Sequence, residues 1–161
     1  MERQQSSFYF QVFHSIEELS DADASLLKRA KDATSHAYAP YSHFHVGAVA
    51  RLHNGVFVRG SNQENASYPV GICAERVLLS SISSQHPDTS IDSIAISYDN
   101  RNGESNKPVT PCGICRQTLS EYEQRQQQPI RLILAGMEGD IYIIEKAGYL
   151  LPLGFSGDDM K

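Results

Sequence analysis

The sequence predicts a single α/β domain in which a mixed five-stranded sheet lies between helices, a three-layer αβα sandwich. Stretches with helical spacing of apolar residues alternate with short β-rich runs, which gives the element order αββαβαββ. An Asn54-Gly55 pair joins two of these runs as a hairpin. The last two runs are separated only by residues 136–139. Because a parallel crossover needs a dozen or more residues, these two strands are antiparallel or are not neighbours.

The first helix follows a poorly specified N-terminal extension, residues 1–19, to which no function is assigned. The extension contains a short alternation of apolar side chains that is compatible with one strand: Phe8, Phe10 and Val12. Ser20 precedes Asp23 with the spacing of a helix cap, and apolar residues then recur at helical intervals. This helix is predicted to run from Ser20 to Tyr38 and to end before a proline. We therefore predict one domain over residues 20–161.

The remaining elements follow from the same patterns. A polar loop leads into a second helix that begins at Cys73, and a third helix begins after Pro111, so that Cys112 lies at its start. Two of the three predicted helices thus start at a cysteine. The β-rich runs predict strands at residues 46–52, 56–60, 93–98, 130–135 and 140–145.

The composition is that of an ordinary globular domain and narrows the possible partners. The 161 residues are enough for one domain with a buried core, and 40% are hydrophobic and 20% charged. The net charge of −5 argues against a nucleic-acid surface, which needs clustered lysine and arginine. No apolar run reaches the roughly 18 residues of a membrane span, and the first residues lack the pattern of a secretion signal. The expected compartment is the cytoplasm.

All three cysteines lie in two short segments. Cys73 and Glu75 form a Cys-x-Glu, and Cys112 and Cys115 form a Pro-Cys-x-x-Cys. Catalytic zinc takes three protein ligands and keeps one position open, which matches three thiolates. A CxE followed by a PCxxC is the all-cysteine form of the zinc deaminase signature. Glu75 lies too close to Cys73 to bind the same ion from a helix start, but it can reach a water molecule there, which favours a proton shuttle.

Other interpretations of the cysteines are possible from the spacing alone. A CxxC pair also occurs in structural zinc ribbons and in redox dithiols. A closed structural site needs a fourth ligand, yet there is no fourth cysteine and none of the six histidines stands at a ligand-like spacing from a cysteine. A redox dithiol leaves Cys73 and Glu75 unexplained. The pattern therefore favours an open site with one Zn²⁺ per chain.

With these residues in place, the chain resembles the zinc-dependent cytidine deaminases, in particular the small homotetrameric type that acts on free nucleosides. The resemblance runs from about Tyr38 to Phe155 and is nearly complete over Asn62–Arg76. The other matching segments are Tyr41–Phe44, Val46–Ala48, Pro111–Gln117 and Leu150–Pro152. The resemblance implies hydrolytic deamination of cytidine and 2′-deoxycytidine to uridine and 2′-deoxyuridine, with release of ammonia, in pyrimidine salvage.

The resemblance also implies roles for individual residues. Glu75 moves protons, the three cysteines bind zinc, and Arg76 hydrogen-bonds to ligand sulfur. Three thiolates leave the site with a net charge of −1, which Arg76 and the two helix N-termini offset. Phe155 reaches into the site of a neighbouring subunit, which requires an oligomer. The remaining substrate contacts are the Ala74 amide and the Thr110 carbonyl to the base, Phe44 to the pyrimidine ring, and Asn62 and Glu64 to the ribose hydroxyls.

Two alternative functions remain open for this sequence. One is a deaminase of another aminated nucleoside, such as a blasticidin-like enzyme, which uses the same zinc chemistry. The other is a zinc-stabilised binding module without catalysis, and replacement of Glu75 separates it from an enzyme. A nucleic-acid editor is disfavoured because residues 136–139 leave no room for a helix between the last two strands and because the net charge is negative.

Overall fold

The structure is a computed structural model of residues 1–161, and its centre is a mixed sheet with helices on both faces. The helices are α1 (Asp21–Ala33), α2 (Ala74–Gln85) and α3 (Gly113–Gln126). The strands are β1 (Gln11–Phe13), β2 (Phe44–Leu52), β3 (Phe57–Ser61), β4 (Ile91–Asn100), β5 (Arg131–Ala135) and β6 (Ile141–Ile144). They lie in the order β1-β6-β5-β4-β2-β3, and only the β4–β5 pair is parallel. The last two strands, β5 and β6, are antiparallel neighbours, which is one of the two arrangements that the short link allows. None of the helices has the length and apolar character needed to cross a bilayer.

The sheet has six strands, so the prediction of five was wrong by one. The additional strand, β1, comes from the N-terminal extension and pairs antiparallel with β6, with Val12 opposite Tyr142. The ring of Phe10 packs on Tyr142 at 4.9 Å between centroids, and Phe8 stacks on Tyr149 at 5.7 Å. The pairing covers an edge of β6 that would otherwise present unpaired backbone groups. The extension therefore contributes to the sheet, and the domain boundary placed before residue 20 stays a prediction.

The first helix begins where the sequence predicts and ends earlier. The Ser20 hydroxyl accepts a hydrogen bond from the Asp23 amide at 3.2 Å, which confirms the cap. The α-helix ends at Ala33 and is followed by a 3-10 turn over Thr34–His36, whereas the prediction extended it to Tyr38. The apolar spacing continues past Ala33, so the pattern did not reveal that the last turn tightens.

Two cores, one on each face of the sheet, confirm the three-layer arrangement. Apolar residues of α1 pack on one face together with Val49, Ile133 and Ile143. Residues of α2 and α3 pack on the other face with Ala48, Ile94 and Leu132. Both clusters include residues of the strands β2, β4, β5 and β6. Helix α1 covers one face of these strands, and helices α2 and α3 cover the other.

Helix α2 lies directly against the sheet backbone at Gly60. A Cβ atom added there would stand 2.5 Å from the Ala74 carbonyl oxygen and 2.5 Å from the Leu78 amide nitrogen. Only glycine permits this approach, because any side chain would push the helix away from β3. The close packing fixes the position of the N-terminal end of α2, where the predicted functional residues lie.

Candidate metal centre

The sulfur atoms of the three cysteines lie together at one end of the sheet. The Cys73 and Cys112 sulfurs are 3.9 Å apart, the Cys112 and Cys115 sulfurs are 3.6 Å apart, and all three lie within 4.8 Å of one another. Zinc–sulfur bonds of about 2.3 Å in tetrahedral geometry separate two ligand sulfurs by about 3.8 Å. The spacing and the all-thiol donor set therefore fit zinc, with the three cysteines as its ligands.

Two helices deliver these sulfurs with their N-termini. Cys73 is the N-cap residue of α2 and Cys112 is the N-cap residue of α3, and neither side chain caps its own helix. The amides in the first turn of a helix have no partner within that helix, and they carry partial positive charge. This charge stabilises thiolates at both N-cap positions. The prediction that both helices start at a cysteine and meet at one site is confirmed.

The thiols influence one another's protonation. The hydrogen bond with Cys115 is the largest influence on Cys73 and lowers the pKa of that thiol to about 6, and Arg76 acts in the same direction. The same hydrogen bond, together with burial, raises the pKa of Cys115. Arg76 makes no hydrogen bond to a sulfur in the structure, so its predicted hydrogen bond to ligand sulfur stays a prediction and its influence on Cys73 is electrostatic.

Glu75 lies on the first turn of α2 with its side chain turned inward. The residue is only 6% exposed, and burial raises the pKa of its carboxyl group. Its own amide and the Cys115 thiol lower that pKa in part. The position of Glu75 on the first turn of α2, two residues after Cys73, keeps the carboxyl near the sulfurs. A carboxyl group whose pKa is raised by burial holds and releases protons closer to neutral pH than an exposed one.

The predicted ribose-binding residues lie beside Cys73. Gln63 and Ile72 exchange backbone hydrogen bonds of 2.9 and 3.0 Å, which brings the segment containing Asn62 and Glu64 against the residue that precedes Cys73. This contact explains how a polar loop reaches the metal centre.

Both ribose-binding candidates are held by backbone groups. The Asn62 side chain accepts from the Val46 amide at 2.7 Å and donates to the Phe44 carbonyl at 2.9 Å. Glu64 accepts the Tyr41 and Ser42 amides on Oε2 at 2.9 and 3.2 Å, while its Oε1 has no partner. Slight burial would raise the pKa of Glu64, but the Ser42 side chain together with the Tyr41 and Ser42 amides outweighs it and keeps the pKa low. The side chain therefore offers an ionised oxygen.

The other substrate candidates occupy different surroundings. Phe44 stacks on Tyr98 with centroids 4.8 Å apart and planes inclined by 18°. Ala74 is fully buried as the first residue of α2, and Thr110 is exposed two residues before Cys112. Phe155 is 57% exposed, and its carbonyl accepts a hydrogen bond from the Gln117 side chain at 2.9 Å. The structure thus ties Phe155 to α3 but shows no contact between it and the sulfurs.

Sequence reasoning missed one residue of this region, Arg116. Its guanidinium donates hydrogen bonds to Pro111, Thr110 and Leu150. The signal in the sequence was an arginine directly after the third cysteine, but the spacing did not indicate its partners.

Comparison with known proteins agrees with the geometry. Residues 20–128 match the family described as the cytidine and deoxycytidylate deaminase zinc-binding region. The cytidine deaminase of Halalkalibacterium halodurans is 38% identical over 136 residues, which cover 84% of this chain and 96% of that protein. The crystal structure of cytidine deaminase from Burkholderia pseudomallei superposes with a TM-score of 0.71 at 35% identity, covering 85% of this chain and all of that one.

A second solved structure extends the comparison. The cytidine deaminase of Mycobacterium tuberculosis superposes with a TM-score of 0.63 at 28% identity, over 84% of this chain and 98% of that one. Similarity therefore covers nearly the whole of each relative and includes the segments that carry all three sulfurs and Glu75. The chain belongs to the zinc-dependent cytidine deaminase family.

Proposed function

We propose that this protein hydrolyses cytidine and 2′-deoxycytidine to uridine and 2′-deoxyuridine, with release of ammonia, in pyrimidine nucleoside salvage. The observation that carries the proposal is the buried carboxyl of Glu75 beside three sulfurs spaced for zinc. The carboxyl forms no ion pair with any cationic side chain of the chain. Burying a carboxyl group without a neighbouring cation lowers the stability of the fold. A role in proton transfer during catalysis explains why Glu75 is nevertheless buried at this site.

The reaction needs a nucleophile and a group that moves protons. Zinc, held by Cys73, Cys112 and Cys115, supplies the Lewis acidity that makes water nucleophilic at neutral pH. Glu75 accepts a proton from the attacking water and delivers it to N3 of the pyrimidine, which makes C4 electrophilic. Once the C4–O bond has formed, Glu75 takes the second proton from the oxygen now bonded to C4 and delivers it to the 4-amino nitrogen. The C4–N bond then breaks, ammonia leaves, and uridine remains.

The polar residues beside the centre favour a nucleoside over a nucleotide. The free Oε1 of Glu64 is a strong acceptor for a ribose hydroxyl, and it repels a 5′-phosphate. The Asn62 side chain is fixed by two hydrogen bonds. The second hydrogen of its amide nitrogen and the second lone pair of its oxygen therefore point in fixed directions. The Phe44 ring, stacked on Tyr98, provides a flat apolar surface for the pyrimidine.

We expect the purified protein to deaminate cytidine and deoxycytidine but not cytosine, CMP or adenosine. The measurement is ultraviolet absorbance with the five compounds in parallel, together with zinc per chain.

Glu64→Gln should raise KM for both nucleosides about tenfold or more, because a hydrogen bond to a charged acceptor is lost. Glu104→Gln, which changes an exposed carboxylate on another loop, is the matched control. Bound zinc without turnover of either nucleoside would contradict the cytidine assignment.

The proposal includes a homotetramer with its sites at subunit interfaces. Large apolar side chains are exposed on the segments that form the site. Such a concentration is unusual for a protein surface that is not part of an interface. Tyr68 and Val70 are 79% and 64% exposed between Asn62 and Cys73, and Ile114 is 62% exposed between two cysteines. Phe155 is exposed as well, and it is the side chain proposed to enter a neighbouring site.

Light scattering should give a molar mass close to four times the 17.9 kDa of the chain. Phe155→Ala should raise KM for cytidine about fivefold or more while the tetramer persists, because one aromatic contact to the substrate is worth about 1 kcal/mol or more. Met160→Ala, also at an exposed apolar residue of the C-terminal segment, should change neither quantity. A fully active monomer would refute the interface sites.

A further inference from the structure

Arg116 makes three hydrogen bonds that join two separate parts of the chain, residues 110–111 and Leu150. Its Nε donates to the Pro111 carbonyl at 2.8 Å, its Nη2 to the Thr110 hydroxyl at 2.9 Å, and its Nη1 to the Leu150 carbonyl at 3.0 Å. A guanidinium is planar and always charged, so three such contacts fix the relative positions of the groups that accept them.

Two of these contacts hold the loop that leads to a zinc ligand. Residues 101–112 connect β4 to α3 without a helix or strand. Residues 107–111 take part in no backbone–backbone hydrogen bond, and the side-chain bonds to Thr110 and Pro111 come from Arg116 alone. The position of Thr110 relative to Cys112 therefore depends on one side chain.

The third contact reaches the C-terminal part of the chain. Leu150 ends a short 3-10 helix, Ala147–Leu150, and the chain continues from there to Phe155. The next residue on α3, Gln117, donates to the Phe155 carbonyl at 2.9 Å. Two consecutive residues of α3 thus hold the segment 150–155 at both of its ends.

We propose that Arg116 is a positioning residue for substrate binding. It holds residues 110–111, directly before the zinc ligand Cys112, and the segment 150–155 in a fixed relation to each other. The proposal rests on the function proposed above, in which Thr110 contacts the base and Phe155 serves a neighbouring site. Arg116 contacts no sulfur, so its loss disturbs the substrate contacts and leaves the zinc ligands in place.

The test compares Arg116→Ala, Arg116→Lys and the control Arg125→Ala. Arg125 lies on the same helix, where its guanidinium stacks over Tyr122 at 4.8 Å and donates to Ser83, away from the metal centre. Arg116→Ala should raise KM for cytidine about 10- to 100-fold, change kcat by less than about fivefold, and keep one zinc per chain. Arg116→Lys should not restore KM, because an ammonium lacks the planar fork. Added guanidinium ion at millimolar concentration should restore KM in part for Arg116→Ala.

Hydrogen exchange gives a measurement that does not depend on turnover. Amides of residues 107–112 and 150–155 should exchange faster in both Arg116 variants than in the unmodified protein and in Arg125→Ala. If Arg116→Ala does not fold, Arg116→Lys decides the question. Unchanged exchange and KM, or loss of zinc in a folded Arg116 variant, would overturn the proposal. Absence of cytidine turnover in the unmodified protein refutes the proposed function instead, while the exchange data still report on Arg116.

Discussion

Glu75→Gln should leave zinc at one ion per chain and reduce kcat for cytidine by about a thousandfold or more. An amide has nearly the shape of the carboxyl but takes up no proton at neutral pH, and general acid–base catalysis typically contributes 10²- to 10⁴-fold. Glu75 is proposed to move two protons in each turnover, so the loss lies toward the upper part of that range. The measurement is steady-state deamination alongside metal analysis of the same sample.

The fold should tolerate this change. Glu75 is 6% exposed and forms no ion pair, so a neutral amide removes the cost of a buried charge and breaks no salt bridge. Glu121→Gln, at an exposed carboxylate on α3, is the control and should keep full activity. A Glu75→Gln protein that keeps a tenth or more of the original kcat would show that another group moves the protons. Zinc at one ion per chain with no turnover in the unmodified protein would instead favour a zinc-stabilised binding module.

Cys112→Ser should lower zinc to well below one ion per chain and remove almost all activity. A serine hydroxyl stays protonated at neutral pH and is a much poorer zinc ligand than a thiolate, so only two sulfurs remain to bind the ion. Cys112 is the exposed member of the three cysteines, and its side chain makes no cap, so its loss costs the packing of the protein little. Metal analysis after dialysis against a weak chelator measures the effect.

Two comparisons show that the loss comes from the metal. Thr118→Ala changes a half-buried residue one turn after Cys115 and should retain both zinc and turnover. The unmodified protein should lose activity with a strong chelator and regain it when Zn²⁺ is added back. Full zinc occupancy in Cys112→Ser would exclude Cys112 as a ligand.

Much of the fold was predictable because its signals are local. The Ser20 cap, the Asn54-Gly55 hairpin and the short link of residues 136–139 each depend on a few adjacent residues. The end of α1 was misplaced because tightening of the last turn leaves the apolar spacing unchanged. The alternation of Phe8, Phe10 and Val12 is compatible with a strand, but it was not placed in the sheet because β1 has only three residues and its partner, β6, lies far away in sequence.

The sequence by itself determined the chemistry of this protein. The Cys-x-Glu and Pro-Cys-x-x-Cys motifs supply three thiolates that favour zinc and one carboxyl group that favours proton transfer. Only the tertiary structure decided whether these residues meet. The Cys73 and Cys112 sulfurs, 39 residues apart, come to 3.9 Å because α2 and α3 begin at the same end of the sheet. The burial of Glu75 and the hydrogen bond from Arg116 to Leu150 also depend on segments that are distant in sequence and pack together. Short-range residue patterns do not reveal such contacts.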